Sequence, residues 1–188
     1  DTVTCSPNIF QIDVVASYFK YGNTDQYAKA AANYDVKTMA KDDLRLYADF
    51  WLRLEKWPEH ARAAEAFIER FADDQAVPRL AASAASACLQ PVAYRPQQAE
   101  RLLQLAASRI PDKGQQIRLE LHRADVLAWE LNKPEPAGEI YRRIYTTIRD
   151  RKDDAALVYR AKIGIGDALL LEAKYAEAEK EYREADAI

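Results

Sequence analysis

The sequence has very little glycine, cysteine or histidine: 5, 2 and 2 residues among 188. So few glycines, beside 34 alanines, argue against a sandwich, a barrel or a glycine-rich phosphate loop. Two cysteines are too few for a disulfide scaffold. The two histidines, His60 and His122, have no partner at metal-ligand spacing. We therefore expect neither a metal site nor a cofactor.

Long apolar runs and a basic charge balance are absent as well. No stretch approaches the 18 or so uninterrupted apolar residues of a membrane-spanning helix, so membrane insertion is not expected. The formal net charge is −3 and the sequence pI is near 5.5, which argues against a nucleic-acid partner. No nucleophile elbow, Walker loop or dinucleotide fingerprint occurs, so no catalytic residue is predicted and the chain is not expected to be an enzyme.

Helical signals run along the whole chain. Apolar residues recur at helical spacing, and proline opens new segments at Pro58, Pro96 and Pro134. The pattern predicts ten helices, no strand and short turns, which is typical of stacked antiparallel helix pairs. The first two helices are predicted from Ser6-Pro7 and from Asp25 to about Tyr34.

An internal repeat organises these helices. Each second helix of a pair opens with a breaker residue three positions ahead of an alanine, and these alanines are 38, 38 and 41 residues apart: Ala61, Ala99, Ala137 and Ala178. A weaker copy ends at Ala28. Periods in this range predict an α-solenoid. A small residue at that point lets two helices approach closely.

The last unit resembles the tetratricopeptide repeat. Ile165-Gly166-x2-Leu169 matches the first half of that family's pattern, and Ala178-x3-Tyr182 followed by Ala185 matches the second. The unit of Ala137-x3-Tyr141 is a looser match. At Ala61 the aromatic position falls on Glu65, which leaves Ala64-x3-Ile68 as an alternative register. Lys162 stands where the family has tryptophan.

The resemblance implies an all-α, right-handed superhelix of about five antiparallel helix pairs with a concave groove. Residues 1–39 would form a degenerate first pair, and residues 40–188 four further pairs continuous with it. In this family the groove holds a peptide or a helix of a partner protein. The first helices predicted over residues 79–90, 113–131 and 155–174 contain no asparagine, so the Lys/Asn clamp that holds a partner's terminal carboxylate in one subgroup is missing.

The first helices of the pairs would line the groove. The residues predicted there are Leu46, Phe50, Arg53, His122, Val126, Trp129, Glu130, Arg160 and Asp167. Two interpretations of Trp129 stay open, a binding anchor in the groove or a core residue between helix pairs. His60, in the first turn of its helix, is expected at the surface.

A non-catalytic scaffold for protein–protein interaction is the leading functional hypothesis. The alternatives are an oligomerisation or structural segment, and a recruiting domain of an enzyme whose catalytic part lies outside this chain. A homodimer could form through the C-terminal helix, whose apolar stripe comprises Tyr175, Ala178, Tyr182 and Ala185.

Two further expectations concern the ends of the chain and its cysteines. Because the chain begins at Asp1 and ends inside a predicted helix, we expect part of a longer protein, in a bacterial periplasmic or other extracytoplasmic setting. Cys5 and Cys88 are expected as two thiols, with a bridge between them as the alternative.

Overall fold

The computed structural model describes residues 28–29 and 31–188, with the side chain of Lys152 excepted. Residues 28, 29 and 31 are helical, and from Lys41 onward the described residues contain eight α-helices and no strand. The helices are α1 (Lys41–Arg53), α2 (Trp57–Arg70), α3 (Val77–Cys88), α4 (Pro96–Arg109), α5 (Lys113–Asp125), α6 (Pro134–Ile148), α7 (Ala155–Leu171) and α8 (Tyr175–Ala185). Most of the predicted first pair, and Cys5 with it, lies outside the described residues.

The chain divides into two compact units, one ending at Tyr94 and the other beginning at Arg95. The first unit holds α1 to α3 and the second α4 to α8. The predicted division at residues 39 and 40 remains a prediction.

Proline and short loops explain why the helices begin where they do. Proline occupies the first or second position of α2, α3, α4 and α6, where its missing N–H would have no intrahelical partner. Asp112 caps α5 by accepting the backbone N–H of Gln115 at 2.8 Å. Asp154 stands at the corresponding position of α7 but makes no capping hydrogen bond with its side chain.

In the first unit, α2 packs against both α1 and α3. The Tyr47 hydroxyl donates to the carbonyl of Ala31 at 3.0 Å, and Arg70 donates to the carbonyls of Val36 and Met39 at 2.7 and 2.6 Å. These bonds hold the segment that precedes α1 against the helices. Cys88 is buried at the end of α3.

His60 is buried in this unit, so the expectation that it lies at the surface is wrong. Its side chain is 0% exposed. Nδ1 donates to the Ala48 carbonyl of α1 at 2.8 Å, and Nε2 lies 3.0 Å from the Ser83 hydroxyl of α3. Burial lowers the pKa of this imidazole. His60 therefore links three helices as a neutral side chain.

In the second unit each helix from α4 to α8 packs against the next. The repeat alanines lie where the sequence predicts close approach: Ala99, Ala137 and Ala178 are buried near the starts of α4, α6 and α8, and Ala61 occupies the same place in α2. Two glycines of α7 extend this packing. A Cβ on Gly164 would lie 2.5 Å from the ring of Tyr141, and one on Gly166 would overlap the ring of Tyr182. Both glycines therefore make room for an aromatic ring of a neighbouring helix.

The predicted long helix of residues 113–131 is interrupted. It is α-helical as far as Asp125 and continues as one π turn, Val126–Glu130. The helix predicted over residues 155–174 ends at Leu171, and two residues later Ala173 takes a positive φ of 61°. Among the described residues, no helix is long and apolar enough to cross a bilayer.

Candidate functional site

A cluster of polar side chains lies where α5 and α7 meet in the second unit. Short loops join α5 to α6 and α6 to α7, so consecutive helices run antiparallel and α5 and α7 run in the same direction. Asp125, at the end of α5, accepts the Tyr141 hydroxyl of α6 at 2.6 Å. It also forms an ion pair with Arg160 of α7. One carboxylate thus connects three helices.

The next helix pair repeats the bond between a tyrosine and a carboxylate. The Tyr182 hydroxyl of α8 donates to Asp167 of α7 at 2.8 Å. Burial and the adjacent carboxylates raise the pKa of both tyrosines, that of Tyr182 to about 12. The hydroxyls are therefore protonated at neutral pH and act as donors.

Asp167 differs from Asp125 in its charge balance. Burial raises the pKa of its carboxyl, the hydrogen bond from Tyr182 opposes this shift, and the nearby charge of Asp125 adds to it. Arg160 neutralises Asp125, whereas the described residues provide no ion-pair partner for Asp167. The half-buried carboxylate of Asp167 is therefore left with a neutral donor.

Trp129 is presented by the π turn that ends α5. The N–H of Leu131 bonds to the carbonyl of Val126 at 3.0 Å, five residues back, and that of Lys133 bonds to Leu127 at 2.7 Å. Val126, Leu127 and Ala128 are buried, whereas Trp129 is 53% exposed. The turn also contacts α7. Such π turns occur frequently at functional sites.

His122 lies about one turn before Asp125 on α5 and is half-buried. Burial lowers the pKa of its imidazole, while the charge of Asp125 opposes that shift and the charge of Arg160 adds to it. His122 is therefore neutral at physiological pH. No group of three or more His, Cys, Asp or Glu side chains in the described part of the chain is arranged to hold a metal ion.

We call these five residues, His122, Asp125, Trp129, Arg160 and Asp167, the α5–α7 face. Four of them are among the residues predicted from the sequence. Asp125, Tyr141 and Tyr182 were not predicted as site residues. The repeated Ala-x3-Tyr pattern marks the two tyrosines, but nothing in the sequence pairs them with a carboxylate.

The other predicted groove residues lie elsewhere. Phe50 is 2% exposed and packs edge-on against Trp51, which is equally buried, and Val126 is buried. Leu46 is half-buried and Arg53 is exposed on α1, in the first unit. Glu130 is exposed at the end of the π turn. Neither Phe50 nor Val126 offers a surface to a partner in this structure.

The stripe on which the homodimer prediction rests is covered by the chain itself. Ala178 and Ala185 are buried, and the ring of Tyr182 lies against Gly166. Tyr175 alone of the four is exposed. The homodimer remains a prediction.

The opposite side of α5 carries paired charges. Arg123 bonds to Glu100 of α4 at 2.6 Å, and Arg143 of α6 bonds to Glu120 of α5 at 2.9 Å. Arg123 and Arg143 also line an open cavity of about 570 Å³. Both arginines already form ion pairs that link α4, α5 and α6, so this side of α5 is less suited to binding a partner than the α5–α7 face.

The fold resembles one solved structure described as the crystal structure of MamA protein. The similarity covers 95% of this chain and 89% of that chain, with a TM-score of 0.61 and 15% sequence identity. No protein-family model matches the sequence, and the search of curated proteins found no significant match. The predicted fold class is confirmed: the described part of the chain has an all-helical, tetratricopeptide-like repeat fold.

Proposed function

We propose that this protein is a non-catalytic interaction scaffold and that the α5–α7 face binds a peptide or a partner protein. The observation that carries this proposal is Trp129, which is 53% exposed in the π turn that follows Asp125 and contacts α7. Interface energy concentrates in a few residues, and tryptophan and arginine are enriched among them. The tetratricopeptide-like fold supports the same role.

The surroundings of Trp129 suit a partner surface. On α7, which the π turn contacts, Leu170 and Tyr159 are exposed by 41% and 44%, so this helix also presents apolar side chains to solvent. Asp125 is oriented by its bonds to Arg160 and to the Tyr141 hydroxyl, and Arg160 is oriented by its ion pair with Asp125. A preorganised polar group loses less entropy on binding than a mobile one.

A catalytic role has less support. None of the five residues of the α5–α7 face is a serine, cysteine, threonine or lysine that could act as a nucleophile, and the hydroxyls of Tyr141 and Tyr182 donate to carboxylates of the fold. The bonds of the cluster orient its side chains, which fits a binding role better than a catalytic one.

Site-specific photo-crosslinking tests the proposal. A photoreactive aromatic residue in place of Trp129 keeps a large ring at the anchor position and should crosslink to a partner protein, whereas the same residue at Thr146, exposed on α6, should not. Identical products at both positions, or none at Trp129, would contradict binding at the α5–α7 face. Crosslinks to a second copy of the chain at Trp129 would favour the oligomerisation hypothesis instead.

A further inference from the structure

We propose that the partner segment bound at the α5–α7 face is basic, and that an arginine or lysine side chain of that segment lies between Trp129 and Asp167. This inference rests on the proposed function and specifies the chemistry of the partner.

The charge balance of the face is the first argument. Asp125 is close enough for its charge to raise the pKa of the Asp167 carboxyl, and one cation, Arg160, pairs with Asp125. Asp167 is half-buried and receives a single neutral hydrogen bond, from Tyr182. A partly desolvated carboxylate with no cation nearby is stabilised when a ligand brings one.

The position of Trp129 is the second argument. Trp129 lies about one turn beyond Asp125, in the π turn that continues α5, and Asp167 lies two turns beyond Arg160 on α7. Because α5 and α7 run in the same direction, both residues lie on the same side of the Asp125–Arg160 pair. The π turn that carries Trp129 contacts α7. An exposed indole face attracts cations, so the ring and the carboxylate select the same kind of group.

A negatively charged segment fits this part of the face poorly. It would bring a further anion beside Asp125 and Asp167, and like charges at an interface disfavour binding. The asparagine of the clamp that would hold a terminal carboxylate is also missing from the first helices predicted over residues 79–90, 113–131 and 155–174. The face therefore selects against acidic segments as well as for basic ones.

Fluorescence polarisation with three labelled, end-capped peptides tests the inference. The first alternates arginine with leucine, the second carries citrulline in place of arginine, and the third carries glutamate. Citrulline keeps the shape of arginine without its charge. We expect the arginine peptide to bind about tenfold more tightly than the citrulline peptide, and the glutamate peptide to bind most weakly.

Two variants locate the effect. Asp167→Asn keeps an acceptor for the Tyr182 hydroxyl and removes the charge, so it should weaken binding of the arginine peptide about tenfold and leave the citrulline peptide unchanged. Glu139→Gln, at an exposed site on α6, removes the same charge outside the face and should change neither affinity. Circular dichroism of both variants checks that they fold.

The outcomes separate this inference from the proposed function. If the citrulline peptide binds as tightly as the arginine peptide, or if Glu139→Gln weakens binding as much as Asp167→Asn, a basic partner at Asp167 is excluded. If the arginine peptide does not bind while Trp129 still crosslinks to a partner, the inference is wrong and the scaffold function stands. If Trp129 gives no crosslink either, both are wrong.

Discussion

Replacing Gly164 of α7 by alanine tests the packing of α7 against α6. A Cβ at this position would lie 2.5 Å from Cδ1 and Cε1 of Tyr141, closer than van der Waals contact permits. Tyr141 has little room to move, because its ring is 1% exposed and its hydroxyl is bonded to Asp125. The new methyl group therefore forces a shift between the two helices.

Two opposing effects determine the size of the change. Overpacking a well-packed core costs about 1–3 kcal/mol. Alanine is favoured over glycine inside a helix by about 0.5–1 kcal/mol. We therefore expect Gly164→Ala to lower the free energy of unfolding by about 1–2 kcal/mol.

Gly138→Ala in α6 is the matched control. Its Cβ would lie 3.3 Å from the Cβ of Ala168 and from the exposed side chain of Arg142, which can move aside. The gain in helix propensity then offsets the contact, and stability should change by less than about 0.5 kcal/mol.

Urea unfolding followed by circular dichroism measures the free energies, and hydrogen exchange should localise the loss to α6 and α7. In a Tyr141→Leu background the smaller side chain leaves room for the methyl group, so Gly164→Ala should cost less there. Wild-type or higher stability of Gly164→Ala, or an equal cost in both backgrounds, would refute the proposed contact.

Three further predictions concern other parts of the molecule. Burial lowers the pKa of His60, so the unfolded chain binds a proton more readily than the folded one. The free energy of unfolding should therefore fall as the pH drops below about 6.5. Urea titrations at several pH values should show a weaker pH dependence for His60→Gln. Lys162 is buried against the carboxylates of Glu181 at 2.5 Å and Glu184 at 2.6 Å, so Lys162→Met should lower the melting temperature. Adding Glu181→Gln should restore part of the loss. An unchanged melting temperature of Lys162→Met would contradict a stabilising network. Trp129→Ala should lower the free energy of unfolding by less than about 1.5 kcal/mol, against the roughly 3–5 kcal/mol of a core tryptophan, while abolishing peptide binding.

Local features of the chain were sufficient to predict the eight helices from Lys41 onward and the repeat. Helical spacing, proline at helix starts and a recurring alanine depend on neighbours within a few residues, so they are visible without the fold. The burial of Ala61, Ala99, Ala137 and Ala178 agrees with this. Helix ends were predicted less well: α7 stops at Leu171 because Ala173 leaves the helical conformation, and no glycine marks the place.

Only the tertiary structure determined how the residues of the candidate site are arranged. Asp125 and Arg160 are 35 residues apart in the sequence and meet because α5 and α7 pack on the same helix, α6. The burial of His60 also depends on helix packing: the sequence of its own helix suggests a surface residue, but α1 and α3 bury its side chain. Helical periodicity shows which residues share a face of one helix, whereas the charge balance around Asp167 and the exposure of Trp129 depend on what the neighbouring helices bring to that face.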